Sequence, residues 1–256
     1  MISGAAITAW SVNAPWSTRQ QVEQDFLLSL VMIEIAKNEY LGNELIFRGG
    51  TCFHKLHLPR PYRYSEDLDY VRKSRDGIKR LTRELTLIGE KLGFEVATRP
   101  GEHPKVDFST FATDGGKLKI KIEMNTRDSN FALPLRYIEH AVGLEGFQRA
   151  HEILTFHPAE LMATKIRALY QRNKGRDLFD FWLALDYLKL DPKEIISAFP
   201  PYQGKITARL AEKNLMSKLQ NNEFREDLQL LIQPWPQNYN VDSAAKMVLE
   251  LIIRKI

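Results

Sequence analysis

The chain has 256 residues, of which 44% are hydrophobic and 27% charged, and its formal net charge is +4. This size and composition fit one large or two small globular cores and exclude a disordered chain. A single cysteine, Cys52, excludes an internal disulfide and a cysteine-based metal site. No apolar run approaches the roughly 20 residues of a membrane helix, and the start lacks the pattern of a signal peptide. We therefore expect a cytoplasmic protein without membrane association.

The first 145 residues mix the patterns of helices and strands. Apolar residues recur at helical spacing before Gly42, which is placed to end a helix, and Pro59 and Pro61 stop another. The clearest strand pattern is at 117–124, where apolar and polar residues alternate. The predicted elements are helices over 18–41, 51–58 and 77–92 and strands over 44–47, 68–71, 94–98, 105–110 and 117–124.

Beyond about residue 145 the pattern becomes helical. Pro158 opens a helix, a turn at 173–175 precedes a second helix, and Asp191 opens a third, with two more after a break at 200–201. The sequence thus predicts an α+β fold, with a mixed sheet in an α/β core over residues 1–145 and a helical domain over 146–256.

Two adjacent glycines follow the first predicted strand, in the order Arg48-Gly49-Gly50-Thr51. Glycines between a strand and a helix let the backbone approach a ligand and expose amide N–H groups at a helix start, a geometry that suits a phosphate. Thr51 adds a hydroxyl donor. The alternative interpretation is an ordinary tight turn.

Two carboxylates, Asp67 and Asp69, are two residues apart, so on a strand they project from the same face. Neighbouring carboxylates repel one another unless a cation lies between them, and hard oxygen ligands favour Mg²⁺. Glu123, on the polar face of strand 117–124, supplies a third carboxylate if that strand lies beside the first. The alternatives are an exposed strand edge for the two aspartates, a helix first turn capped by Ser65 for Asp67, and a solvent-facing side chain for Glu123.

A glycine turn followed by paired carboxylates is the set that a nucleotidyltransferase needs. The turn holds a triphosphate, while metal ions on the carboxylates activate the acceptor oxygen and neutralise the departing pyrophosphate. Each feature alone has a structural explanation, but their order along the chain favours nucleotidyl transfer.

A second polar group lies in the helical half. Lys165 is four residues from a leucine on either side, so its ammonium group needs water or an acidic partner. Asp177 and Asp180 are three apart and share one face of the next helix. In the functional interpretation Lys165 contacts triphosphate oxygens, and one of these aspartates holds it or assists the acceptor. The alternatives are a helix N-cap for Asp177 and an ion pair between Arg176 and Asp180.

Basic residues cluster in two places, either as solvated helix faces or as a surface for phosphates of RNA. The clusters are Arg72, Lys73, Arg75, Lys79, Arg80 and Arg83, and then Arg167, Arg172, Lys174 and Arg176.

Three stretches resemble the AbiEii/AbiGii-type nucleotidyltransferase toxins: FRGGTCFHKL, YRYSEDLDYV and HPAELMATKIRALYQRNKGRDLFDFW. The order and spacing match across roughly residues 44–188. The resemblance implies a nucleotidyltransferase-like core with a helical C-terminal half, acting as the toxin of a toxin–antitoxin or abortive-infection system. Characterised relatives transfer nucleotides from NTPs to RNA, notably to the 3′ acceptor end of tRNA, which blocks translation.

The resemblance also implies roles for individual residues. Ser65, Asp67 and Lys165 match essential residues of the family, and Asp69 matches its second carboxylate. A later essential aspartate of the family corresponds to Asp177 or Asp180, between which the sequence does not choose. The predicted site comprises catalytic Asp67, Lys165, Asp177 and Asp180, nucleotide-binding Gly49, Gly50, Thr51, Ser65 and Lys165, and a two-metal Mg²⁺ site of Asp67, Asp69 and Glu123.

The leading hypothesis is a Mg²⁺- and NTP-dependent nucleotidyltransferase toxin that acts on tRNA or another RNA and is neutralised by a cognate antitoxin protein. A second hypothesis keeps the chemistry but transfers the nucleotide to a hydroxyl of a protein or small molecule. A third is a nucleotide- or RNA-binding inhibitor without catalysis. The paired aspartates count against the third hypothesis, because binding alone does not need two repelling carboxylates.

Overall fold

A computed structural model describes residues 4–74, 76–126, 130–144, 146–232, 236 and 238–256. The chain divides into two compact units. Unit 1 comprises residues 1–129 and 135–156, and unit 2 comprises residues 130–134 and 157–256. No helix in the described part of the chain is both long and apolar enough to cross a bilayer.

Within the described residues, unit 1 contains one mixed sheet of seven strands, in the order β3-β4-β5-β2-β1-β7-β6. Strand β2 runs parallel to β5 and β1 runs parallel to β7, whereas the other neighbours are antiparallel. The strands are β1 (Leu45–Arg48), β2 (Asp67–Arg72), β3 (Glu95–Arg99), β4 (Lys105–Phe111), β5 (Lys117–Asn125), β6 (Arg136–Leu144) and β7 (Phe147–Thr155).

Strands β4 and β5 show why the sheet has an apolar and a polar face. Alternate residues of β5 are buried, as expected of a strand with one face in the core. Ile122 pairs with Val106 of β4 and Leu68 of β2, so the three apolar side chains lie on one face. Lysines and carboxylates occupy the other face, where the predicted metal ligands lie.

The helices of unit 1 are α1 (Gly4–Trp10), α2 (Arg19–Lys37), α3 (Glu39–Glu44), α4 (Gly49–Leu56) and α5 (Lys79–Lys91). Helix α2 begins at a capping box in which the Thr18 side chain accepts from the Gln21 N–H and the Gln21 side chain bonds the Thr18 backbone. It ends at Lys37, with Asn38 as the C-cap, rather than at Gly42, so that prediction was wrong. Gly42 lies inside α3, where a Cβ would overlap the Ala36 carbonyl oxygen, and close backbone packing therefore explains this glycine.

Unit 2 is helical in its described residues. A π-helical turn at Leu183–Tyr187 continues α7, and the rings of Phe179, Trp182 and Tyr239 pack together in the core. Helix α6 begins as predicted, with Pro158 in its first turn and the His157 side chain accepting from the Ala159 N–H. The helices are α6 (Pro158–Gln171), α7 (Gly175–Trp182), α8 (Pro192–Ser197), α9 (Pro200–Gln203), α10 (Ala208–Lys218), α11 (Asn222–Glu226) and α12 (Val241–Leu251).

The hairpin of β6 and β7 corrects the prediction that the chain becomes helical after about residue 145. The two strands are in antiparallel register from Arg136 with Thr155 to Leu144 with Phe147. Most of β7 is exposed or half-buried until its last three residues, so its sequence lacks the alternation of a half-buried strand. The proline pair at 200–201 likewise begins the short helix α9 instead of only breaking the chain.

Candidate active site

The Gly49-Gly50 pair lies where β1 ends and α4 begins, as the sequence predicts. Gly49 has φ +84°, a conformation that favours glycine, and a Cβ there would overlap Asp69 Oδ2. A Cβ on Gly50 would overlap the guanidinium of Arg63, a buried residue that sequence reasoning did not assign to the site. Both glycines thus let charged side chains approach the start of α4, where helix N–H groups favour an anion.

Thr51, in the first turn of α4, connects the glycine turn to the start of β2. Its side chain is buried, and its hydroxyl lies 2.6 Å from the carbonyl oxygen of Asp67, to which it donates, and 2.7 Å from Ser65 Oγ. These contacts fix the position of the segment that precedes the two aspartates. The predicted contact of Thr51 with a triphosphate stays a prediction, because the described contacts of its hydroxyl are with the protein.

Asp67, Asp69 and Glu123 lie on one face of the sheet, which we call the carboxylate face. Asp67 and Asp69 alternate with buried residues along β2, so the interpretation of Asp67 as part of a helix first turn is wrong. Strand β5 lies beside β2, and Glu123 is the register partner of Asp69. In a parallel pair, register partners project to the same side. The condition on which Glu123 could supply a third carboxylate, that its strand adjoins the strand of the aspartates, is therefore met.

Two lysines lie among these carboxylates. Lys105 of β4 is the register partner of Glu123, and its Nζ is 2.7 Å from Glu123 Oε1. Lys121 of β5 is the register partner of Asp67, with its Nζ 3.8 Å from Asp67 Oδ1. Sequence reasoning missed both lysines, although the alternation of residues 117–124 already placed Lys121 on the same strand face as Glu123.

The carboxylate face offers oxygen ligands that could hold a divalent cation. Mg²⁺ prefers carboxylate oxygens, and in nucleotide enzymes it is held by one or two carboxylates together with phosphates and water. Gly49, which has no Cβ, leaves the space that Asp69 occupies beside the helix start. Among the described residues no three Asp, Glu, His or Cys side chains converge into a complete metal cage. Asp67 and Asp69 are carboxylates of the kind that can share a divalent cation with phosphate and water.

In unit 2, Lys165 is buried together with two aspartates of α7. Its Nζ lies 2.6 Å from Asp180 Oδ2 and 3.3 Å from Asp177 Oδ1. The Arg172 guanidinium donates two hydrogen bonds of 2.7 Å to Asp177, one to each carboxylate oxygen. Lys165 therefore has the acidic partners that its place among leucines requires. These partners are the two aspartates that the sequence singled out.

The Asp177 carboxylate is stabilised by the positive charges of Lys165 and Arg172. Burial tends to raise the pKa of the Asp177 carboxyl, but Lys165 and Arg172 outweigh burial, so the pKa lies below its ordinary value. Asp177 is the third residue of α7, and Lys174 occupies the N-cap, so the N-cap interpretation of Asp177 is wrong. Asp180 pairs with Lys165, whereas Arg176 lies 3.4 Å from Asp227.

The two basic clusters are partly neutralised by the protein itself. Arg72 is 1% exposed and pairs with Glu44 at 2.9 Å, so its assignment to an RNA-facing surface is wrong. Its neighbour in that cluster, Arg75, lies outside the described residues. In the second cluster, Lys174 lies 3.5 Å from Asp227.

A cavity of about 450 Å³ in unit 1 lies away from the carboxylate face. It is lined in part by Asp25, Lys55 and His140, and by none of Gly49, Gly50 or the three carboxylates of that face. Lys55 Nζ lies 2.8 Å from Asp25 Oδ1, and both side chains are buried. This ion pair connects α4 to α2, so Lys55 has a structural role in unit 1.

The chain is similar to known proteins in sequence and in structure. Over residues 33–244 the chain matches the family model described as the nucleotidyl transferase AbiEii toxin of type IV toxin–antitoxin systems. The structure is similar to MenT4, a nucleotidyltransferase toxin from Mycobacterium tuberculosis, with a TM-score of 0.63 and 16% identity over 98% of this chain and 88% of that chain. An antigenic nucleotidyltransferase-like protein from Paracoccidioides brasiliensis gives a TM-score of 0.44 and 19% identity over 80% and 93% of the two chains. No curated protein sequence matches this chain.

The likeness to MenT4 confirms the predicted α+β fold, and the family match covers most of the chain, including every predicted site residue. The chain therefore belongs to the AbiEii family of nucleotidyltransferase toxins of type IV toxin–antitoxin systems.

Proposed function

We propose that this nucleotidyltransferase transfers a nucleotide from an NTP to the 3′ end of an RNA, most simply tRNA, in a Mg²⁺-dependent reaction. Blocking the acceptor end of tRNA stops translation, which accounts for a toxic activity. Because tRNA is a cytoplasmic RNA, the proposed place of action is the cytoplasm. A cognate antitoxin counters this activity.

One observation carries the proposal: Asp67 and Asp69 project from one strand, and Asp69 lies against the glycine turn of the adjoining strand. Two carboxylates beside a helix N-terminus are suited to bind a nucleoside triphosphate through a divalent metal ion, because the helix attracts phosphate while the carboxylates attract the cation.

Asp67, Asp69 and Glu123 would hold Mg²⁺, which, when bound, activates the attacking hydroxyl and neutralises charge on the departing pyrophosphate. The N–H groups at Gly49 and Gly50 bind phosphate oxygens, with the Ser65 hydroxyl as a further donor. The RNA 3′-oxygen forms a bond to the α-phosphorus while the bond from that phosphorus to the bridging oxygen breaks. Pyrophosphate leaves, and the hydroxyl proton passes to water.

Lys165 is proposed to contact triphosphate oxygens, as the resemblance to the family implies. Asp180, 2.6 Å from its ammonium group, orients the lysine, and Asp177 shares this task with Arg172. The attraction of two carboxylates offsets the cost of burying the lysine, and an ammonium group is a good partner for phosphate oxygens.

The test is a labelling experiment in a cell lysate supplied with each α-³²P-labelled NTP in turn. We expect more label in the RNA fraction with wild-type protein than in lysate without it, and no such excess with Asp67→Asn, whose folding is checked by circular dichroism. Label in the protein fraction would favour a protein acceptor over RNA. Toxicity that persists in Asp67→Asn would favour inhibition by binding alone.

A further inference from the structure

The carboxylate face carries its own cations. Lys105 contacts Glu123 at 2.7 Å, and Lys121 lies 3.8 Å from Asp67. All four side chains are between 38% and 44% exposed, although Asp67 Oδ1, the oxygen nearest Lys121, is itself shielded from solvent. Neither lysine is needed to fill the core, because the apolar residues of β4 and β5 lie on the opposite face.

The pairing alternates along the strands. In one row of the sheet Lys105, Glu123 and Asp69 are register neighbours across β4, β5 and β2. In the adjacent row Lys121 lies between Asp107 of β4 and Asp67 of β2, and Asp107 is paired with Lys119 and Arg99. Three carboxylates would repel one another on a bare face, and two lysines reduce the formal charge of the five residues from −3 to −1.

We propose that Lys105 and Lys121 compete with the metal for carboxylate oxygens. They neutralise Glu123 and Asp67 before metal binds, and the metal displaces them from these carboxylates. The inference rests on the proposed function, since it takes the carboxylate face as the metal site. It adds two residues that set metal affinity, and it makes them competitors of the cation rather than supports for it.

The physical basis is competition for the same oxygens. A carboxylate oxygen that accepts a 2.7 Å hydrogen bond from an ammonium group must give up that contact or share it when a divalent cation binds. A unit positive charge a few ångströms from the cation also opposes its binding, by about threefold to tenfold in affinity at a solvent-exposed site. Exposed ion pairs are weak, so displacement is feasible at millimolar Mg²⁺.

Lys117 provides a matched control. It lies on the same face of β5, four residues before Lys121, and is exposed. No ion pair of Lys117 is seen in the described part of the chain. A Lys117→Met substitution therefore removes an equal charge from the same strand without releasing a carboxylate.

The test measures Mn²⁺ binding to the full chain, without nucleotide, from the electron paramagnetic resonance signal of free Mn²⁺. We expect Lys105→Met and Lys121→Met to bind Mn²⁺ about threefold to tenfold more tightly than wild type, and Lys117→Met to stay within about twofold. Asp69→Asn shows whether the measured binding is at the carboxylate face. Circular dichroism checks that each variant folds, and Lys105→Gln replaces any methionine variant that does not.

Equal or weaker Mn²⁺ binding in both Lys105→Met and Lys121→Met would overturn the inference, as would equal tightening in Lys117→Met. Nucleotide transfer by the wild-type protein is measured separately. Nucleotide transfer without tighter Mn²⁺ binding in the variants would support the proposed function and contradict the inference. Tighter Mn²⁺ binding without nucleotide transfer would support the competition of the lysines with the metal and contradict the proposed function.

Discussion

Lys165 Nζ lies 2.6 Å from Asp180 Oδ2, and both side chains are almost completely buried. Asp177 lies farther from the same ammonium group, at 3.3 Å, and shares its charge with Arg172. The two aspartates that the sequence could not rank therefore differ in their contacts. Asp180 has the shorter contact with Lys165, and Asp177 links Lys165 to the partly exposed Arg172.

Replacing Asp180 by asparagine should destabilise unit 2, because it leaves the Lys165 charge buried with only the shared Asp177 carboxylate. The expected loss is about 3–5 kcal/mol in the free energy of unfolding, measured by denaturant titration. Adding Lys165→Met should recover part of that loss, because the uncompensated charge is then gone. Costs that simply add in the double variant would contradict direct pairing of these two residues.

Replacing Gly49 by alanine should remove nucleotide transfer, because its Cβ would displace the Asp69 carboxylate. Gly93 is a matched control, since it has the same φ of +84° but open space around a Cβ. Both variants should lose about 1–2 kcal/mol of stability through backbone strain. Only Gly49→Ala should also lose transfer activity, and equal activity in the two variants would contradict the contact with Asp69.

Thr51 should act through the position of Ser65 and Asp67, so an isosteric substitution without the hydroxyl tests its role. Thr51→Val removes both contacts and should lower kcat by about tenfold or more, because small displacements of reacting groups are costly. Thr51→Ser keeps the hydroxyl and should retain most activity. The comparison needs initial rates at saturating NTP, and similar rates for valine and serine would show that the hydroxyl contacts are dispensable.

His140 should make the protein less stable in mild acid. Burial, and next the nearby Lys55 charge, lower its pKa to about 3 from an ordinary value of 6.5. As the pH falls below about 6.5, the unfolded chain therefore gains a proton that the folded chain does not, and the free energy of unfolding falls by at most about 1.4 kcal/mol per pH unit.

The measurement is the denaturant midpoint between pH 7 and pH 4.5 for wild type and His140→Gln. The variant should show a flatter profile. His151→Gln, at the exposed register partner on β7, controls for removal of a histidine from the same hairpin. A profile of His140→Gln as steep as that of wild type would show that other groups cause the acid sensitivity.

The local parts of the site follow from the sequence because they depend on short spacings. The strand, the Gly49-Gly50 turn and the helix that follows it are specified within about a dozen residues, and the alternation around Asp67 and Asp69 fixes their common face. The place of Lys105 opposite Glu123 depends on the register between two strands, which non-local packing decides. The exposed hairpin of β6 and β7 has too few buried side chains to leave a clear pattern.

The most direct test of the proposed reaction compares intact tRNA with tRNA whose 3′-terminal diol has been oxidised by periodate. Purified protein, Mg²⁺ and each α-³²P-labelled NTP are incubated with both RNAs, and Asp67→Asn serves as the inactive control. Transfer to the 3′ end predicts label on intact tRNA and none on oxidised tRNA. Equal label on both RNAs, or label that persists in Asp67→Asn, would contradict nucleotidyl transfer to the 3′ hydroxyl at the carboxylate face.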